Sequence, residues 1–218
     1  MRRNALAALG CALFAATCFS APASAQTPGD FDYYVFTLSW SPGFCDTGGA
    51  AKQPSQCASG AGAGFVVHGL WPNSRFGPNP EDCGSGASAP AEALRLTDGV
   101  YPDEGLARYE FRKHGACSGL DAEGYFTAVK RLHDVIAIPD ALRTPHEAQR
   151  FAPDDIVTAF VAANPSLQAD DMAVTCGRGE LIDVRICVAK DLAGFAQCPP
   201  KVAGHTCHAA SISVAPLR

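Results

Sequence analysis

The chain has 218 residues, with 17 basic and 22 acidic side chains and a formal net charge of −5 at pH 7. This acidic balance argues against a protein that coats nucleic acid through a broad basic field, but it is compatible with a local cationic site. The length suits one domain with a substantial core and is hardly enough for two.

The first residues predict an export signal. Arg2 and Arg3 form a short positive stretch, an apolar run covers residues 5–19, and small residues at 23–25 form a cleavage site. The apolar run has about fifteen residues, whereas a membrane span needs roughly twenty. A cleaved signal is therefore favoured over the alternative, an uncleaved N-terminal anchor.

Cleavage after residue 25 would leave residues 26–218 as one domain with no membrane attachment. It would remove two arginines and no acid, so the formal net charge of −5 would become −7. The alanine-rich signal is typical of bacterial export. We therefore expect a periplasmic or secreted protein.

Ten cysteines occur in the chain, and eight of them lie beyond the predicted signal. An even number in an exported domain is typical of disulfides, although spacing alone does not choose the pairs. The tight Cys-x-x-Cys pairs of a zinc site are absent, so we expect no metal ligands among them. The eight are Cys45, Cys57, Cys83, Cys117, Cys176, Cys187, Cys198 and Cys207.

Strand patterns open the region after the signal. Residues 31–40 are rich in aromatic and β-branched residues and are followed by Ser-Pro-Gly at 41–43, which predicts a strand and then a turn. Residues 65–67 predict a short buried strand that ends at His68. Loops are predicted over residues 46–64 and 73–91, and the second is long enough to be functional.

Helical patterns follow, and strands return near the end. Helices are predicted over residues 104–116 and 122–137, and a third from Asp154 to the residue before Asn164. Strand patterns cover residues 173–176 and 181–188. This order predicts an α+β fold, a disulfide-stabilised single domain with a central antiparallel β-sheet packed with helices.

The segment from residue 109 to residue 117 carries the densest chemistry. On a helix, Glu110, Lys113 and His114 share one face because positions three and four apart are neighbours. A carboxylate, an ammonium and an imidazole together favour acid–base chemistry on a phosphate. The alternative is an ordinary solvated helix face with an ion pair.

A second candidate segment is His-Gly-Leu-Trp-Pro at residues 68–72. The glycine beside His68 permits a close approach to the backbone, and Trp71 offers a surface on which a base could stack. The alternative is a satisfied core histidine with a structural tryptophan.

Together, residues 68–72 and 110–117 closely resemble the two active-site segments of the ribonuclease T2 family, in the same order and spacing. The opening strand and its Trp-Ser-Pro-Gly-Phe-Cys ending at 40–45 resemble that family as well, as does Leu-Ile-Asp-Val-Arg-Ile-Cys at 181–187. The resemblance covers most of the chain beyond the signal. It implies an α+β endoribonuclease that cleaves single-stranded RNA through a 2′,3′-cyclic phosphate.

The resemblance also implies roles for individual residues. His114 matches the general base that takes the 2′-OH proton, and His68 matches the general acid that protonates the leaving 5′ oxygen. Glu110 and Lys113 match the pair that stabilises the charged phosphorane, and Trp71 matches a base-stacking position. No metal or other cofactor is implied. DNA lacks the 2′-OH and should therefore not be cleaved. We also expect the protein to be a monomer.

The family's disulfide pattern, carried onto this chain, pairs Cys45 with Cys57, Cys83 with Cys117, Cys176 with Cys207, and Cys187 with Cys198. Three positions depart from the family's pattern. Tyr109 replaces a histidine that contacts the phosphate, which affects substrate affinity and pH profile, and Phe111 replaces a tryptophan. Asn73 replaces an acid, which affects base preference, and both Tyr109 and Asn73 are expected to bind substrate.

Two other classes of protein compete with this interpretation. A catalytically silent RNA-binding or toxin-like module could keep the same scaffold, although His68, Lys113 and His114 are all present. A metal-dependent nuclease would need a cluster of Asp, Glu or His ligands with a recognisable spacing, and the sequence has none. Activity in a chelator separates the second class from the favoured one.

Overall fold

The computed structural model describes residues 26–84 and 86–218 of the chain. The predicted signal peptide lies outside the described residues. None of the helices in the described part is long and apolar enough to cross a membrane.

The fold is built on a six-stranded sheet with the order β2-β1-β5-β6-β3, and β4 pairs with β5. All pairings are antiparallel except a short parallel contact between β5 and β6 at Glu180 and Ser213. The strands are β1 (Tyr33–Trp40), β2 (Phe65–Asn73), β3 (Gln149–Phe151), β4 (Met172–Gly177), β5 (Glu180–Ala189) and β6 (Ile212–Val214).

Helices lie between these strands along the chain. Asp103 and Asp121 cap the first turns of the third and fourth helices, because each carboxylate accepts a 2.8 Å hydrogen bond from a backbone N–H of that turn. The helices are α1 (Ser41–Asp46), α2 (Ala91–Leu94), α3 (Glu104–Lys113), α4 (Ala122–Val135), α5 (Asp140–Arg143), α6 (Pro153–Ala163) and α7 (Pro200–Ala203).

Strand β1 is buried along its whole length because both faces of the sheet are covered. Its even-numbered residues from Tyr34 to Trp40 join the large core with α4 and α6. Tyr33 and Val35 point to the other face, where they pack in a smaller cluster with the Cys187–Cys198 disulfide. The rest of that second face, towards Ser39, carries polar side chains.

The α+β class and the disulfide-stabilised domain are confirmed, while several boundaries differ. Residues 41–43 form the first turn of α1, where proline is tolerated because its missing N–H would have no helical partner. Helix α3 ends at Lys113, before a separate 3-10 turn at Gly115–Cys117. Strands β3 and β6 were not predicted.

Four disulfides join the described elements, and they are the pairs that the family resemblance implies. The Cys83–Cys117 disulfide ties the long loop after β2 to the turn that follows α3. The remaining disulfides are Cys45–Cys57, Cys176–Cys207 and Cys187–Cys198.

Candidate active site

His68 occupies a β-bulge in the middle of β2. In the register between β1 and β2, Thr37 pairs with Gly69 and Leu38 pairs with Val67, so His68 is the extra residue. The prediction that the strand ends at His68 is therefore wrong, because β2 continues to Asn73. A bulge redirects a side chain without ending the sheet, and here it presents His68 to a cavity beside α3.

The C-terminal end of α3 supplies the second group of side chains. His114 caps the helix, and its backbone N–H donates a 2.9 Å hydrogen bond to the Glu110 carbonyl. The backbone N–H of Asp82 donates to the Lys113 carbonyl, which brings the long loop against the helix end next to the Cys83–Cys117 disulfide.

All the substrate-contacting and catalytic residues expected from the sequence line one cavity of about 360 Å³. The cavity also receives side chains from the loop after β2, from β5 and from α7. The expected residues are His68, Trp71, Asn73, Tyr109, Glu110, Lys113 and His114.

Trp71 links the two active-site segments. Its indole N–H donates a 2.7 Å hydrogen bond to Oε2 of Glu110. The indole centroid lies 5.2 Å from that of the His68 ring and 5.5 Å from that of His114, so both imidazoles lie against the indole. A Cβ atom on Gly69 would overlap both the indole nitrogen and the Glu110 carboxylate, which explains the glycine beside His68.

The His114 imidazole is held in its neutral form. Burial, together with the charges of Lys113 and His68, lowers its pKa from the usual 6.5 to about 3. A neutral imidazole can accept a proton, which is the property of a general base.

The Glu110 carboxyl is almost completely buried, with 1% of its side chain exposed. Burial raises its pKa to about 7, against the lowering effects of the Trp71 hydrogen bond and the Lys113 charge. Its Oε1 lies 3.7 Å from Nε2 of His68. The carboxyl can therefore exchange a proton near neutral pH, and its ionised form can stabilise a positive charge on His68.

Lys113 lies at the mouth of the cavity, where its Nζ is 3.4 Å from Oε2 of Glu81. Hydrogen bonding to Tyr109 is the largest cause that raises the pKa of Lys113, and the Glu81 carboxylate also raises it. The ammonium stays charged and can meet a phosphate. Tyr109 is 42% exposed at the same mouth, so a substrate can reach its ring.

Asn73 is buried at the end of β2, and its amide nitrogen donates a 3.0 Å hydrogen bond to the Trp71 carbonyl. This bond uses one donor of the amide to hold the strand end. The Asn73 side chain also lines the cavity, where the rest of its amide group can bind substrate.

A second cavity, of about 350 Å³, lies on the other side of His68. It shares His68 and Tyr109 with the first cavity, and therefore the two form neighbouring chambers. The further side chains that line it include Ser39, Phe44, Lys52, Gln53, Gln56 and Leu106.

Sequence reasoning missed several charged or polar residues beside the site, including Ser39, Glu81, Asp183 and Arg185. One signal was available for two of them, since Asp183 and Arg185 alternate with apolar residues in a predicted strand. Charges at alternate positions indicate a strand face that meets polar groups. Ser39 and Glu81 carry no such local signal.

Among residues 26–84 and 86–218, no group of three or more His, Cys, Asp or Glu side chains is arranged to hold a metal ion. The cavity instead brings together two imidazoles, a buried carboxyl and an ammonium. These groups define an acid–base site suited to a phosphate ester.

Comparison with known proteins places this site in a family. The model of the ribonuclease T2 family matches residues 31–198, so the chain belongs to that family. Ribonuclease DdI of Dictyostelium discoideum is 29% identical over 192 residues, which cover 79% of this chain and 80% of the relative. Ribonuclease I of Escherichia coli K12 is 35% identical over 156 residues, which cover 54% of this chain and 58% of the relative.

Solved structures share the fold. RNase NT, in complex with 5′-AMP, superposes with a TM-score of 0.69 at 22% identity, covering 86% of this chain and 100% of that one. Ribonuclease MC1 from bitter gourd seeds gives a TM-score of 0.63 at 19% identity, covering 84% and 99%. The family match and these neighbours together support a T2-type ribonuclease.

Proposed function

We propose that the protein is an endoribonuclease that cleaves single-stranded RNA by transphosphorylation, using His114 as base and His68 as acid. One observation carries the proposal: two imidazoles lie against Trp71 in one cavity, and burial together with Lys113 keeps the His114 ring neutral. A neutral ring and a second ring that can carry a proton are what an acid–base pair requires.

In the proposed step, neutral His114 takes the proton of the ribose 2′-OH. The 2′ oxygen attacks phosphorus, the bond between phosphorus and the 5′ oxygen breaks, and protonated His68 gives its proton to that oxygen. The products are a 2′,3′-cyclic phosphate and a free 5′-hydroxyl. Water then opens the cyclic phosphate to a 3′-phosphate, with the two histidines in exchanged roles.

Charge stabilisation is assigned to Lys113 and Glu110. The Lys113 ammonium meets the negative charge that develops on the phosphorane, and to do so it must exchange its contact with Glu81 for one with the phosphate. Glu110 supports the positive charge on His68 and fixes the Trp71 indole.

The two neighbouring cavities can hold two successive nucleotides, which supports cleavage between nucleotides inside an RNA chain. His68, as the acid for the 5′ oxygen, lies on the side of the departing nucleotide. The second cavity, which His68 shares, therefore takes that nucleotide, and the first cavity takes the nucleotide that becomes cyclic. Trp71, Tyr109 and Asn73 are assigned to binding the substrate.

RNA supplies its own nucleophile, so the first step needs no cofactor, and DNA lacks the required hydroxyl. We further propose that residues 1–25 are removed during export to the periplasm or the medium. Residues 26–218 then act as a monomeric domain. The four disulfides support an oxidising location.

The test is to incubate the purified protein with single-stranded RNA and with DNA of the same sequence, in a chelator. RNA should be cut to 2′,3′-cyclic and then 3′-phosphate ends, while DNA stays intact. Ends with 5′-phosphate, or loss of activity in the chelator, would contradict the proposal. Binding of RNA without cleavage would favour the silent module instead.

Variants assign the roles. His68→Ala and His114→Ala should each lower turnover at least about 10²-fold, and their combination should cost much less than the product of the two. His133→Ala is the matched control, because that ring is exposed on α4, outside the cavity, with its Nδ1 3.1 Å from Oδ1 of Asp134. Near-normal turnover in either active-site variant would remove that histidine from the mechanism.

A further inference from the structure

The imidazole of His68 is connected to a buried carboxylate through one hydroxyl group. Nδ1 of His68 lies 3.2 Å from Oγ of Ser39, and that hydroxyl donates a 2.6 Å hydrogen bond to Oδ1 of Asp183. Ser39 and Asp183 are both buried. A hydroxyl has one proton. Because Ser39 gives that proton to Asp183, its oxygen accepts from the ring, so Nδ1 carries the hydrogen.

The sheet itself builds this arrangement. Ser39 on β1 is the direct cross-strand partner of Asp183 on β5, and its partner on the other side is Val66 on β2. The bulge then brings His68 back beside Ser39. Three adjacent strands thus contribute one residue each, and the contact does not depend on a loop.

We propose that Ser39 and Asp183 are positioning residues that fix the Nδ1–H form of His68 and stabilise its protonated state. Nε2 then faces the cavity and Glu110. Through its hydrogen bonds to both groups, the hydroxyl lets the carboxylate stabilise a positive charge on the ring. The functional value of this arrangement rests on the proposed role of His68 as an acid, since only a protonated ring can deliver a proton.

The charges around His68 show why such support matters. Burial lowers the pKa of His68, and Arg185 on β5 and Lys52 after α1 lower it further, whereas Asp183 raises it. From α3, the ring faces Glu110 and the neutral His114. The Asp183 carboxylate therefore opposes every effect that would strip the proton from the acid.

Asp183 has other partners, which supply a control. The Thr175 hydroxyl lies 3.4 Å from Oδ2 of Asp183 and accepts the Asp183 backbone N–H at 3.1 Å, while Nη2 of Arg185 lies 3.5 Å from the same Oδ2. Thr175→Val removes a neighbour of the carboxylate on β4, but it leaves the hydroxyl link to His68 in place.

The first test reads the imidazole directly. In ¹⁵N-labelled protein, NMR should show His68 as the Nδ1–H tautomer when neutral. The pKa of His68 should fall by about 1 pH unit in Asp183→Asn. In Ser39→Ala, the ring should lose its preference for the Nδ1–H tautomer. Thr175→Val should leave both unchanged. An unchanged tautomer and pKa in Ser39→Ala and Asp183→Asn would overturn the proposal.

The second test reads the reaction with RNA. In Ser39→Ala and Asp183→Asn, the alkaline limb of the turnover profile should move to lower pH and turnover at pH 7 should fall about tenfold, with little change in KM. Ser39→Thr, which keeps the hydroxyl, should recover most of the turnover. A fall that Ser39→Thr does not recover, with no movement of the limb, would mark a purely structural role and overturn the proposal.

The two tests separate this inference from the proposed function. NMR reports the His68 tautomer and pKa whether or not the protein cuts RNA. If wild type fails to cut RNA while the tautomer responds as expected, the proposed function fails and the positioning contact stands. If Asp183→Asn does not fold, Ser39→Ala gives the same readout without a buried charge change.

Discussion

The Trp71 indole donates its hydrogen bond to a carboxyl group, Glu110, that is almost inaccessible to solvent. This bond joins β2 to α3 inside the cavity. It also requires that no side chain stand between the two, a condition that Gly69 meets. The contact between Trp71 and Glu110 therefore depends on Gly69, a residue that takes no part in the proposed chemistry.

Gly69→Ala should disrupt this bond and lower turnover at least tenfold, because the added methyl group overlaps the indole nitrogen and the carboxylate. The measurement is turnover on RNA, with tryptophan fluorescence to report the indole. Gly194→Ala is the control, since a methyl group there meets no atom within 4 Å. Equal turnover in the two variants would contradict the steric explanation.

Glu110 should make stability depend on pH. Its pKa is raised from 4.5 to about 7, so the folded state holds the proton more tightly than the unfolded state. The resulting stability is complete below pH 4.5 and is lost as pH rises through 7. Relative to Glu110→Gln, the free energy of unfolding of wild type should fall by up to about 3 kcal/mol across that window.

Denaturant titrations at several pH values between 4.5 and 8 measure this difference. Glu104→Gln, an exposed change on the same helix, should show no comparable dependence. If the free energies of unfolding of wild type and Glu110→Gln change with pH in parallel, burial does not raise the pKa of the Glu110 carboxyl.

The dependence of kcat/KM on pH should be bell-shaped and lie on the acid side of 6.5. The base is lost only when pH falls to about 3, where His114 becomes protonated, and the acid is lost as pH rises through the lowered pKa of His68. The measurement is kcat/KM on a dinucleotide at constant ionic strength. A maximum above pH 7.5 would contradict the assignment of acid and base.

Tyr109 should contribute binding without charge. A phenol can donate a hydrogen bond but adds no positive charge, so Tyr109→His should lower KM mainly below pH 6.5, where an ordinary imidazole is cationic. Tyr109→Phe should raise KM modestly, with less change in turnover than the His68 or His114 variants show. KM and turnover for the three proteins across pH are the measurement, and superimposable profiles would mean that Tyr109 does not reach the phosphate.

The native protein should contain no free thiol beyond the predicted signal, because all eight cysteines there form disulfides. Reduction should lower the free energy of unfolding by several kcal/mol. Thiol titration of the unfolded, unreduced chain checks the count, and denaturant titration with and without reductant checks the stability. Two or more reactive thiols before reduction would contradict this pairing.

The sequence predicted the fold class and the long elements because their periodicity is strong. It did not predict β3 and β6, since three residues are too few to show alternation. It also missed the bulge at His68, because an extra residue in a strand is visible only against its partner strand. The two motifs predicted which residues line the cavity, whereas Ser39 and Asp183 meet through pairing between strands that are far apart in sequence.

The Cys83–Cys117 disulfide gives the site a dependence on cellular compartment. It fastens the loop that carries Glu81 to the turn after His114, next to Lys113, the lysine proposed to meet the phosphate. In a reducing environment this disulfide is open, and the chain then has every side chain of the proposed site but not the constraint that holds the loop in place. If residues 1–25 direct export as proposed, oxidation outside the cytoplasm closes the disulfide, and the proposed ribonuclease becomes fully assembled only after it has left the cell's own transcripts behind.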